Sequence, residues 1–328
     1  MNSKERVLST IARQPVDRVP LDCWLYQKQL VEQLESEYGS HDQFMREFNI
    51  DIFVCYVPWP NQLGEKVDVK DLKNIKLKNP EKEFWMLFDD WNYDFAGVNI
   101  KKGVEKYGKD KAVIAHIWGI VESTSSFLGI ENCWMNLAQE PDLMTLWFDK
   151  LSVWICKLID LCIDEGVDII TISDDWGSNN NMLFSPKTWR SMIAPYTERL
   201  VKTAKKRNIP VNLHSDGYIM DVVPEIIEMG FNMFHPVQES AGMVPREIKN
   251  KFGDNLVVYG SLDTVDALNI YEGVELEKYI KKRFDIYAPG GGFIFNTGHF
   301  VQPNIPVNRL IHAYRIANEL AVVDYKKK

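Results

Sequence analysis

The stretch IPVNLHSDG, residues 209–217, carries an apolar run into His214, Ser215, Asp216 and Gly217. Alternate side chains of an extended strand share a face, so a His-x-Asp pair projects an imidazole and a carboxylate to the same side. Gly217 then allows the sharp turn into a helix expected over 219–229. His235 and His299 also fall at the ends of apolar runs, as do Asp174, Asp175, Gln238, Asp263 and Asn296, with Glu122 just beyond another. Two chemistries suit such a set. Imidazole nitrogens and carboxylate oxygens bind a divalent metal, zinc foremost, with a coordination position left open. The same groups could instead be acid, base and hydrogen-bond partners for an organic substrate without a metal. Tyr26, Trp59, Trp118 and Trp176 sit at comparable places and suit a flat or apolar ligand, although packing alone explains each tryptophan taken singly. His116, in mid-strand, reads as a satisfied core histidine.

Presenting these groups together requires a regular scaffold. Eight short apolar or β-branched runs are strand candidates: 19–26, 51–57, 112–119, 167–177, 209–213, 232–238, 255–263 and 291–299. Helical patterns separate most of them, over 2–13, 27–38, 122–129, 141–165, from 185 onward, 219–229 and 307–322. Eight buried strands alternating with helices predict an α/β fold: a single (β/α)₈ TIM-type barrel spanning 1–328, whose functional side chains gather at the C-terminal mouth. An open doubly wound sheet is the alternative. However, no G-x-G-x-x-G follows a strand and no P-loop is present, so a nucleotide-binding half lacks support. Residues 61–111 break the rhythm after the second strand. They predict an inserted hairpin at 84–98 that serves as a lid or packs on the barrel wall.

The bulk numbers narrow the class. A net charge of −8 argues against nucleic-acid binding. Five cysteines without C-x-x-C spacing argue against a disulfide framework or a cysteine-rich zinc site and point to a reducing cytoplasm. The N-terminus reads as amphipathic rather than as a signal segment, and no run is long enough to span a membrane.

The chain resembles the uroporphyrinogen decarboxylase superfamily, which also holds corrinoid-dependent methyltransferases. ARQPVDRVP at 12–20 is similar to the family's opening, LHSDG at 213–217 to its His-x-Cys-Gly segment, and VVYGSLDT at 257–264 to its Gly-Asn-Ile-Asp element. NTGHFVQPNIP at 296–306 is similar to the signature of its last strand. The decarboxylases carry an arginine-rich segment after the first strand, where this chain reads DCWLYQKQL. Their Phe-Ser-Asp turn is replaced by CYVPWP, and the tyrosine after the third strand is missing from GIVESTSSFLG. An acidic, aromatic mouth is poorly matched to a substrate bearing many carboxylates.

The resemblance therefore leans to the methyltransferase branch, which binds zinc through a His-x-Cys pair and a later Cys. By position, this implies His214, Asp216 and His299 as metal ligands, each replacement still able to bind zinc. Glu122 would be a fourth ligand or a catalytic group, and Asp175 would orient a ligand or act as acid/base. Tyr26, Trp59, Trp118, Trp176, His235 and Asn296 would contact substrate. The implied activity is demethylation of a small methylated substrate such as a methoxyaromatic, with the metal as Lewis acid. The methyl would pass to a corrinoid on a partner protein, since this chain has no corrinoid-binding motif of its own. The resemblance also implies a homodimer. The other readings are a metal-independent decarboxylase of a porphyrinogen or smaller acid, and a non-catalytic ligand-binding barrel.

Overall fold

The computed structural model describes residues 1–25, 27–57 and 93–322. Seven strands, β1 (Ile52–Tyr56), β2 (Ala112–Trp118), β3 (Ile169–Ser173), β4 (Val211–His214), β5 (Met233–His235), β6 (Val257–Tyr259) and β7 (Phe293–Ile294), form one sheet. Their spatial order is their chain order, and every pairing is parallel. Both sheet faces are covered, which is why β3 reads IITIS and is buried throughout. The inner face packs Trp24, Ile52, Ile114, Ile169, Met233 and Tyr259 into a small core. A larger core lies between the sheet and the surrounding helices.

The expected first strand, 19–26, is reduced to one residue. Leu21 makes isolated parallel bridges to Ile50, just before β1, and to Phe295, just after β7. The Asp51 N–H donates to the Leu21 carbonyl at 2.7 Å, and the Phe295 carbonyl accepts from the Asp22 N–H at 2.8 Å. Pro20 explains why pairing extends no further, because it offers no N–H to a ladder. Beyond Asp22 the chain turns on itself, with the Leu25 N–H on the Cys23 carbonyl. Among the described residues the structure thus holds seven strands and one bridging residue in place of eight strands.

A buried carboxylate pins this junction. Asp51 is fully buried and accepts from the Leu21 N–H, from Arg6 Nη1 and from both terminal nitrogens of Arg18, all within 2.8 Å. Arg6 comes from helix α1 (Ser3–Ile11), whose start is fixed by a capping box between Asn2 and Glu5.

Residues 61–92 of the expected insertion lie outside the described ones, as do Tyr26 and Trp59. The part that is described corrects the hairpin expected at 84–98: from Tyr93 onward the chain is helical, Tyr93–Tyr107. Gly103 lets this helix press onto β1, because a Cβ there would sit 2.5 Å from Cys55 Sγ. The long helix Pro141–Asp164 starts with proline in its first turn and buries Trp147, Phe148 and Trp154. Among the described residues, no helix is long and apolar enough to cross a membrane.

Replacing Asp51 with alanine removes the carboxylate partner of Arg18 and one of the two carboxylates that hold the buried Arg6. We expect a loss of about 3–5 kcal/mol, the usual result of breaking a buried ion pair, read as a lower midpoint in urea unfolding.

Candidate metal centre

The C-terminal ends of β4 and β7 bring together the three residues that the resemblance singled out. His214 closes β4, Asp216 follows two positions later, and His299 lies beyond β7. One donor atom from each lies within 4.8 Å of the others. His299 Nε2 is 3.5 Å from Asp216 Oδ2, and the His214 and His299 rings are 5.9 Å apart. Gly217 has φ +81°, and its Cα lies so close to Gly177 that a Cβ would fall 2.4 Å from that residue's carbonyl carbon. A side chain there would push Asp216 off its position.

The protonation of the imidazoles follows from their partners. His235 Nε2 faces the Thr297 carbonyl at 2.9 Å, so this nitrogen must carry the proton. The Asn296 amide nitrogen lies 3.3 Å from the same atom, but Asn296 Oδ1 is held by the Thr297 N–H at 2.8 Å. Two donors then face one another, and we take the shorter carbonyl contact as the hydrogen bond. His235 Nδ1 is left as an acceptor, and it lies 2.7 Å from His214 Nδ1, which therefore donates. His214 Nε2 keeps a bare lone pair on the side of Asp175, 4.0 Å away.

Burial holds His214 and His235 well below the usual histidine range, helped by neighbouring imidazoles, and it also lowers His299. All three rings are neutral at physiological pH, the form that ligates metal. Trp24 stacks on His235 with 4.0 Å between centroids. The Trp24 indole N–H is in turn held by Asp22 Oδ2 (3.1 Å) and Tyr259 Oη (2.9 Å). Burial raises Asp22 to about 6. Gly260 makes room for this stack, since a Cβ there would meet the His235 ring at 2.6 Å.

The carboxylates are crowded and short of cations. Burial raises Glu122 well above its usual range, and Asp175 raises it further. Its Oε2 is buried without a hydrogen-bond partner. Asp216 is raised well above its range by burial, then by Asp175 and Asp263. Burial also raises Asp175, whose Oδ1 accepts the Asp216 N–H at 2.8 Å and so orients that residue. A bare imidazole nitrogen, a second neutral imidazole and carboxylates that gain from a nearby positive charge form the donor set of a divalent-cation site. The residues present fit such an ion.

Other sequence candidates occupy different places. Trp176 is fully buried against Trp189, with its N–H on Asp174, so no ligand can reach its face. Asp174 accepts the N–H groups of Ile120, Val121 and Glu122 and caps the helix Ile120–Leu128. Burial raises it to about 7. His235 and Asn296 are fully buried: His235 holds His214 through Nδ1, and Asn296 Oδ1 accepts the Thr297 N–H. Trp118 lines a cavity of about 640 Å³ among the described residues, together with Phe53, Tyr56, His116 and Phe300. His116 is buried as expected, yet its Nδ1 has no partner, and its ring lies 5.9 Å from His214. A second cavity of about 350 Å³ shares Asp216 and His299 with the centre. Sequence reasoning missed the support from Asp22, Tyr259 and Thr297. The Asp-x-Trp spacing at 22–24 was its visible trace.

Comparison with known proteins identifies the family and the fold. The family profile described as uroporphyrinogen decarboxylase (URO-D) matches residues 2–320. The chain is 26% identical over 278 residues to a uroporphyrinogen decarboxylase of Geobacter sulfurreducens, covering 81% of this chain and 74% of that one. It is 24% identical over 274 residues to that of Helicobacter pylori, covering 77% and 72%. In fold it is similar to a methyltransferase from Methanosarcina mazei, with TM-score 0.73 and 17% identity, over 97% of this chain and 99% of that one.

Two outcomes follow from the geometry. His235→Phe removes the acceptor that orients His214, and we expect divalent-cation affinity to fall about 10–100-fold, as for other partners of ligating histidines; competition against a chromophoric chelator measures this. Affinity should also fall as pH is lowered, by about tenfold per unit for each proton displaced. The raised Asp216, rather than the already neutral imidazoles, sets where that fall begins. Affinity unchanged down to acid pH would remove Asp216 from the ligand set.

Proposed function

The chain belongs to the uroporphyrinogen decarboxylase family, and from that premise we propose that it is a methyltransferase that demethylates a small methylated substrate and passes the methyl to a corrinoid on a partner protein. One observation carries this reading: His214, Asp216 and His299 converge within 4.8 Å, with His214 Nε2 left bare by its neighbour. When bound, a divalent cation such as zinc supplies Lewis acidity to the methylated heteroatom, and the reduced corrinoid supplies the electron pair that accepts the methyl.

The chain's own groups do the rest. The methyl departs without its bonding pair, which stays on the substrate oxygen. Burial and the neighbouring Asp175 favour the protonated form of Glu122, whose proton completes the released hydroxyl. Asp175 keeps Asp216 in place through its backbone N–H. Phe53, Tyr56, Trp118 and Phe300 offer an aromatic wall that excludes water and suits a methoxyaromatic ring.

A decarboxylase of a porphyrinogen or smaller acid is the second reading, favoured by what the two curated relatives are called. Such a substrate needs cations. The described lysines lining either cavity are Lys102 and Lys106, and Lys106 is paired with Asp42 at 2.8 Å.

Protein purified without chelator should carry about one zinc per chain, lost in His214→Ala, and should methylate a reduced corrinoid protein from a methoxyaromatic donor. Glu122→Gln should keep the metal and lower kcat by at least about 100-fold, the usual worth of a positioned acid. Carbon dioxide released from a porphyrinogen by metal-free protein would decide for the second reading.

A further inference from the structure

The 350 Å³ cavity beside the centre differs in chemistry from the aromatic one. It opens beyond the ends of β4 to β7 and includes Asp216 and His299 in its wall. The remaining polar lining among the described residues is carboxamide and hydroxyl, Gln238, Asn269, Gln302, Asn304, Ser261 and Thr264, with no lysine or arginine among them. Its other acid, Asp263, is occupied within the protein. That carboxylate accepts the Ser240 N–H and hydroxyl and the N–H groups of Val265 and Asp266.

The amides are only partly engaged. Asn304 Nδ2 donates to Asn269 Oδ1 at 3.0 Å, and Gln302 Nε2 donates to the Phe300 carbonyl at 3.2 Å. Among the described residues, this leaves the Asn304 and Gln302 side-chain oxygens and the Asn269 amide nitrogen without protein partners. Ser261 is the telling residue. It is only 3% exposed, lines the cavity, and its Oγ has no hydrogen-bond partner. A buried hydroxyl left unpaired is costly in the free protein, and a ligand hydroxyl in this cavity would satisfy it.

We infer that this cavity is the subsite for an uncharged, hydroxyl-bearing part of the substrate, so that the methyl donor is a neutral hydroxylated methyl ether and not a methoxylated acid. The inference rests on the methyltransferase reading for the identity of the ligand as a methyl donor. Amide carbonyls and a hydroxyl accept and donate to alcohols, whereas a carboxylate would find no lysine or arginine among the described lining residues.

The test uses three probes that differ in one group: vanillyl alcohol, vanillate and vanillylamine. Their binding to the full, zinc-supplemented chain is measured by tryptophan fluorescence without any corrinoid protein. A failed methyl transfer would therefore sink the function above without touching this result. Vanillyl alcohol should bind about tenfold or more tighter than vanillate, the scale of one lost charge-compatible hydrogen bond. Ser261→Ala should weaken the alcohol about three- to tenfold, leave vanillate unchanged, and raise Tm, because it deletes an unpaired buried hydroxyl. Gln302→Arg should improve vanillate selectively. Vanillate binding as tightly as the alcohol, vanillylamine binding tightest, no binding by any probe, or an alcohol affinity indifferent to Ser261→Ala would each overturn the inference.

Discussion

The junction at Leu21 governs what lies above it. Two backbone bridges, to Ile50 and Phe295, link the outer strands of a seven-stranded parallel sheet. A bridge of one residue is weak by itself, and Asp51 compensates by holding Leu21, Arg6 and Arg18 through a single buried carboxylate. The next residues out of that junction are Asp22 and Trp24, and the Trp24 ring lies flat on His235. Closure of the sheet and orientation of the metal-facing histidine are therefore one mechanical problem, solved within five residues of chain.

From that base the order of support is continuous. Asp22 and Tyr259 hold the Trp24 indole, Trp24 holds the His235 ring, Thr297 fixes the His235 proton, and His235 fixes the His214 proton. Only the last atom in the series, His214 Nε2, is offered to the centre. Such an arrangement is rigid because each group has one partner geometry available. By contrast, Asp216 and His299 are about a third exposed and sit on turns. The centre thus combines one fixed nitrogen with two groups that have room to adjust.

Much of this was legible in the sequence, and the limits have physical causes. The alternation rule brought His214 and Asp216 to one side, and the strand-end rule added His299. Those rules report direction along a strand but not depth, so they could not tell the reachable Trp118 from Trp176, which turns inward onto Trp189. Nor could they separate His214, with its bare nitrogen, from His235, its direct pairing partner on the neighbouring strand and used up by its partners. Pro20 was visible in the sequence, yet an apolar run around it still read as a full strand. Ser261 carried no signal at all, because an unpaired hydroxyl is a property of its surroundings and not of its type.

The crowd of raised carboxylates also has a thermochemical consequence. Burial and the charge of Asp175 oppose ionisation of Glu122 and Asp216, and burial opposes that of Asp175 itself. A cation held by Asp216 releases the proton of that carboxyl into the medium, where the buffer takes it up, while Glu122, outside the ligand set, keeps its own. The heat of metal binding is then a property of protein and buffer together: titrations in buffers of different ionisation enthalpy give different apparent heats, and their slope counts the protons that the entering cation releases.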